Sequence, residues 1–114
     1  MKKLLLGLTC FCTVAAVNAS EWVTLDPSDL LQVEVYQTGA DAGKSEGVYF
    51  RAESDFSTTL TCSKKHTVVL TDATIADRAL SMGMFAPSSG KTMQFYVTGC
   101  DNDHLLGKAV QFKQ

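Results

Sequence analysis

From Leu30 onward, apolar and polar positions alternate with a period of two, the pattern of strands half buried against a core. Leu31, Val33 and Val35 fall on one side of a predicted strand from Leu30 to Gln37, with Gln32 and Glu34 on the other. Thr38 to Gly47 is rich in glycine and polar residues and reads as an exposed connection. Val48, Phe50 and Ala52 then alternate with Tyr49, Arg51 and Glu53 in a second predicted strand. After a turn over Ser54 to Ser57, Leu60 and Cys62 share one face of a third predicted strand, Thr58 to Ser63. Lys64-Lys65 is a polar tip before a fourth, His66 to Thr71.

The period then changes. Asp72 is a helix N-cap candidate, and Ile75, Ala76, Ala79, Leu80 and Met82 or Gly83 form a stripe at helical spacing. Pro87 followed by Ser88-Ser89-Gly90 is expected to end the helix. Met82, Met84 and Phe85 are assigned to core packing by their spacing, with Met84 or Phe85 left to lie at a subunit contact. A fifth predicted strand covers Thr92 to Thr98. A polar loop follows from Gly99 to His104, and a last strand covers Lys108 to Phe112. Strand following strand through short turns favours an antiparallel meander. The expected fold is mainly β with one helix: a small OB-like antiparallel barrel of about six strands, the helix lying between strands four and five. Closure would remove the edges that an open sheet exposes.

The N-terminus changes the picture of where this domain works. Lys2 and Lys3 precede an apolar run, Leu4 to Val17, and Val17-Asn18-Ala19 resembles a signal-peptidase site. The run is shorter than the ~20 residues that span a bilayer, and Cys10 and Cys12 lack the preceding residues of a lipoprotein signal. Residues 1–19 are therefore expected to be a cleaved signal peptide, and 20–114 a single exported domain, periplasmic or secreted, with no membrane span. Cleavage leaves eight basic against twelve acidic residues, a net charge of −4. That balance, without a basic stripe, argues against nucleic acid as a partner.

Cleavage also leaves two cysteines, Cys62 and Cys100. In an oxidising compartment they allow one intramolecular disulfide, the alternatives being two free thiols or a bridge between subunits. A chain of this size has a marginal core, so a bridge closing this loop, worth roughly 3–4 kcal/mol in the chain-entropy model, would matter.

Little in the chain points to catalysis. His66 and His104 sit apart, outside any metal-spaced cluster, and are assigned to the surface; no metal and no cofactor are expected. Asp101-Asn102-Asp103 begins like a calcium loop, but Leu105, Leu106 and Phe112 occupy its later positions, so a turn explains it better. No serine has a nucleophile-elbow context, and Ser89-Gly90-Lys91 lacks the upstream glycine of a phosphate loop. The expected function is a non-enzymatic binding or interaction module, with a small hydrolase or inhibitor as an alternative. Trp22 either tucks the mature terminus onto the barrel or forms part of a binding rim.

Glu21-Trp22, Tyr49-Phe50, Cys62, the apolar helix, Ser89-Gly90-Lys91 and Phe95-Tyr96, in that order, resemble the binding subunits of pentameric A–B bacterial toxins, nearest the subtilase cytotoxin and pertussis-like branch. The resemblance implies an OB-like barrel, a ring-forming homo-oligomer and recognition of sialylated glycans. Where that branch has a cysteine after the Tyr-Phe pair this chain has Arg51, which leaves Cys100 as the partner of Cys62. The family's sugar-binding serine matches Ser28 loosely. Its tyrosine falls at Val97, with Tyr96 on the opposite face. The ligand-binding candidates are therefore Trp22 and Ser28, and a glycan or a protein is the expected partner.

Overall fold

Val23 and Leu25 alternate with Trp22 and Thr24, and this short pattern forms the first strand, β1 (Glu21–Leu25). In the computed structural model, which describes residues 20–40 and 42–113, five further strands and one helix follow. They are β2 (Leu30–Tyr36), β3 (Gly47–Ala52), β4 (Lys64–Leu70), α1 (Ala73–Ser89), β5 (Met93–Asp101) and β6 (His104–Phe112). The expected signal peptide, Met1 to Ala19, lies outside the described residues.

The six strands form one sheet in the order β1-β5-β6-β4-β3-β2. All neighbours are antiparallel except β4 and β6, which run parallel, so the sheet is mixed. This corrects the expectation of an all-antiparallel meander. The helix carries the chain from β4 across to β5, and the hairpin back from β5 lays β6 into the gap alongside β4. The barrel is also not closed, because no ladder joins β1 to β2 at the two edges. The sheet is nevertheless strongly coiled. Leu25 and Leu30 are five residues apart, a reach of at most ~18 Å, whereas a flat six-strand sheet would hold its edges roughly 24 Å apart. The corner between them is a single 3-10 turn, Pro27–Asp29, tied down where Glu53 N–H donates to the Asp29 carbonyl (2.9 Å) and Ser54 to its carboxylate (2.9 Å).

The expected strand count holds through two compensating differences. β1 was not expected, and Thr58–Ser63 is not a strand. Its alternation is real, but two of its backbone donors go to side chains: Thr59 N–H to the Glu21 carboxylate (3.0 Å) and Leu60 N–H to Thr58 Oγ1 (3.1 Å). Local bonds of this kind compete with a ladder. Phe56 drops from this loop into the core against Phe95, and Cys62 is buried and bonded to Cys100. The disulfide spans 38 residues with Cα atoms 5.6 Å apart and ties the loop to β5. A disulfide points to a non-reducing environment.

Helix α1 lies on the concave face through its smallest residues. Asp72 caps its start by accepting from Ile75 N–H (3.0 Å), and Gly90, in the left-handed region (φ 71°), ends it by donating to the Ala86 carbonyl. Pro87 sits inside the last turn rather than terminating it. The buried stripe is Ala76, Ala79, Gly83 and Ala86. Gly83 sits against Phe50, where a β-carbon would come 2.4 Å from Cε2 of the ring. Met84 and Phe85, assigned to the core from their spacing with one of the two left for a subunit contact, are both exposed, because this small-residue stripe turns them away from the core. Phe85 touches Phe112 at 6.0 Å between centroids. Beneath the helix, Val48, Phe50, Val68, Leu70, Phe95 and Val97 fill the core. A bulge at Leu31 breaks the register of β2, leaving Leu31 exposed, while Val35 is 65% exposed although it pairs with buried Val48. Among the described residues no helix is long and apolar enough to cross a membrane.

Candidate functional site

The face of the sheet turned away from the helix offers two clusters of polar and aromatic side chains. One is closed and one is open.

The closed cluster sits under the connection between β2 and β3. Lys44 folds back over Tyr36, its ammonium 4.2 Å from the ring centroid, and bonds both the Tyr36 hydroxyl (2.9 Å) and the Glu34 carboxylate (3.0 Å). Burial opposes its charge, but these two partners outweigh it and hold the ammonium pKa above its ordinary value. Tyr49 lies below with no exposed surface, edge-on to Tyr36 and to His104. Its hydroxyl donates to the Ser45 carbonyl (2.8 Å), and burial, with Asp101 nearby, raises its pKa. Ser45 donates to Asp101 (3.2 Å). His104 is buried, not at the surface, because the tight turn at Asn102 and Asp103 (φ 49° and 70°) starts β6 at the histidine itself and packs its ring on Tyr49. Desolvation lowers its pKa, as do the charges of Lys64 and Lys44, against the raising effect of the Asp101 carbonyl. One buried atom of the cluster, Asp101 Oδ2, has no hydrogen-bond partner among the described residues. The cluster fixes a long connection and buries its own polar groups, which leaves little of it for a ligand.

The open cluster spans β1, β5 and β6. Ladder pairing sets Trp22 beside Tyr96 and Thr24 beside Gln94, and it sets Gln94 beside Gln111 on the next strand. Alternation sends Val23, Phe95 and Val110 to the core and these residues outward. Trp22 is 42% exposed and rests on Tyr96 with ring centroids 5.2 Å apart, tilted by 55°. Gln111 Nε2 donates to Gln94 Oε1 (2.9 Å), and Gln94 Nε2 donates to Thr24 Oγ1 (3.4 Å). A carboxamide has two N–H groups and a carbonyl oxygen, so this chain of bonds leaves donors and acceptors beside an aromatic face. Glu21, at the start of the same strand, is held by Thr59 through its backbone N–H and hydroxyl, which lower the carboxylate pKa.

Of the two expected binding residues, Trp22 stands on this surface. Ser28 is exposed in the corner turn after the far end of β1. The three residue steps from Trp22 to Leu25 alone span roughly 10 Å, so the two do not share one small pocket. Val97 is fully buried, and Tyr96 holds the outward position beside Trp22. Tyr96, Gln94, Thr24 and Gln111 were not among the expected site residues. Gln94 and Tyr96 stood in the polar phase of the fifth predicted strand and Gln111 in that of the last, but these positions gain meaning only once β1, with Thr24, is placed alongside. Among the described residues, no cluster of three or more His, Cys, Asp or Glu side chains could hold a metal ion.

Comparison with protein-family models, with curated proteins and with solved structures gives no match for this chain.

Proposed function

We propose that this chain is an exported, non-enzymatic binding module on an OB-like barrel, and that the open face of β1, β5 and β6 engages a saccharide. The strand order supports the barrel reading. β1 and β2 act as two halves of one strand bent at Pro27–Asp29, and β6 runs between β5 and β4, parallel to the latter, after a helical crossover. The observation that carries the ligand class is the exposed Trp22 resting on half-buried Tyr96, next to the bonded chain Thr24, Gln94 and Gln111. Sugar rings present C–H faces that pack on aromatic rings and hydroxyls that need directional donors and acceptors. Only an oligosaccharide lying along β1 reaches both Trp22 and Ser28. A glycan array probed with the purified oxidised protein and with Trp22→Ala tests this. Binding to a defined group of glycans that the variant loses supports it, and no retained glycan, or retention unchanged in the variant, rejects it.

A second reading, a ring-forming subunit like those of the toxins it resembles, is favoured by the exposed apolar pair Met84 and Phe85 beside Phe112. Light scattering separates the two: a stable pentamer supports the ring and a monomer excludes it.

A further inference from the structure

A groove of about 200 Å³ opens between the first turns of α1 and the junction of β2 with β3, on the helix side of the molecule and away from Trp22. Its apolar wall is Val35, Val48, Ala76 and Leu80, and its polar lining includes the carboxylates of Glu46 and Asp77. No lysine or arginine lines it. Glu46 accepts a hydrogen bond from the Thr38 hydroxyl (2.7 Å), and among the described residues no cation pairs with Glu46 or Asp77. Among the described residues the one ion pair is Lys44 with Glu34, elsewhere. The last residues of β2, Val35 and Tyr36, line the groove, and β2 is an edge strand: among the described residues no strand pairs with its outer side. Val35 illustrates the incompleteness of this corner. It sits on the core side, opposite Val48, yet most of its surface faces the opening.

Each of these features constrains the occupant. A volume below the roughly 300–1,000 Å³ of small-molecule pockets suits one long side chain. The apolar wall suits a methylene stem, and the two carboxylates suit a cationic head, the split character of lysine and arginine. A free edge strand suits an extended peptide, whose main chain adds to the sheet while alternate side chains enter pockets. We infer that the β2 edge and this groove form a docking site for an extended segment of a partner protein, which adds to β2 and seats one lysine or arginine side chain between Glu46 and Asp77. The free edge supplies affinity without regard to sequence, and the groove supplies the selection for a basic residue. The site goes beyond saccharide recognition on the opposite face and does not depend on it.

The test is an NMR titration of the ¹⁵N-labelled oxidised protein with three acetylated, amidated pentapeptides, Thr-Val-Xaa-Val-Thr, in which Xaa is lysine, norleucine or glutamate. The expected result is saturable shifts in the amides of β2 and at Val48 and Ala76. The lysine peptide should bind about three- to tenfold more tightly than the norleucine one, the range that two partly exposed ion pairs supply, and the glutamate peptide more weakly than either. Added salt should narrow the preference. In the double variant Glu46→Gln, Asp77→Asn, the lysine peptide should fall to the norleucine level while the norleucine peptide is unchanged. Equal affinity for lysine and norleucine, shifts confined to other faces, or no shifts with any peptide would each overturn the assignment.

Discussion

Gly83→Ala sets two opposing effects against each other, and the structure decides between them. In a helix interior, alanine is favoured over glycine by roughly 1 kcal/mol, so on propensity alone the change should stabilise. The added methyl, however, would stand 2.4 Å from Cε2 and 3.0 Å from Cζ of Phe50. That ring cannot swing away. It has no exposed surface and is packed on Phe95 at 5.0 Å between centroids. The helix must therefore lift from the sheet or the ring must leave its rotamer, and overpacking of this kind costs typically 1–3 kcal/mol, with more for a contact this short. The expected net result is a loss of about 1–2 kcal/mol and a fall in melting temperature of about 5–15 °C for a domain of this length. Thermal and urea unfolding followed by far-UV circular dichroism measure it. In a Phe50→Leu background the same methyl meets a smaller neighbour, so Gly83→Ala should cost less there, and the two changes should be strongly non-additive. A Gly83→Ala protein more stable than the parent would refute the placement of the helix on Phe50.

Three further outcomes follow from the same structure. Cys62→Ser should lower stability by about 2–4 kcal/mol, with Cys62→Ser, Cys100→Ser behaving alike because both remove one bond. Thiol titration of the denatured, unreduced protein should find neither Cys62 nor Cys100 reactive. Asp72→Ala removes the acceptor for Ile75 N–H and should cost about 1 kcal/mol, read from the urea midpoint, while Asp72→Asn should retain most of it. His104 has its pKa lowered by burial, and it faces Tyr49, the Asp101 carbonyl, Lys64 and Lys44. The unfolded chain therefore takes up that proton more readily than the folded one. Stability should be level above the ordinary histidine pKa of about 6.5. It should decline as the pH falls through that value, and the decline should cease below the lowered folded pKa. His104→Gln should flatten this part of the profile, and an unchanged slope would show that the histidine is not responsible.

Much of the fold was legible along the chain because it rests on local periodicity. The strands around Val33, Phe50, Val68 and Phe95 and the helix from Asp72 carry strong patterns, and the bridge follows from two cysteines remaining after the expected cleavage. What was not legible depends on partners distant in sequence. The alternation of Leu60 and Cys62 looks like a strand, but the Glu21 carboxylate and the Thr58 hydroxyl take the Thr59 and Leu60 backbone donors. The reverse holds for β1, where five residues carry too short a pattern until β5 supplies the ladder. His104 looked like a surface residue among polar neighbours, yet the Asn102-Asp103 turn tucks it under Tyr49. The open site was half legible: Trp22 stood out as an aromatic near the mature terminus, while Tyr96 and the glutamines gained their role only from strand order.

The central claim, that the open face binds a saccharide, is tested most directly by the fluorescence of Trp22, the only tryptophan in the chain. The oxidised protein is titrated with N-acetylneuraminic acid, galactose, N-acetylglucosamine and glucose, and with short oligosaccharides ending in each, while emission is followed. Because the indole rests exposed on Tyr96, a sugar ring packing on it should shift the emission to shorter wavelength. The change should saturate at micromolar to millimolar concentration for at least one of these ligands, and Gln94→Ala should weaken it severalfold. An emission spectrum that none of them alters would contradict the claim.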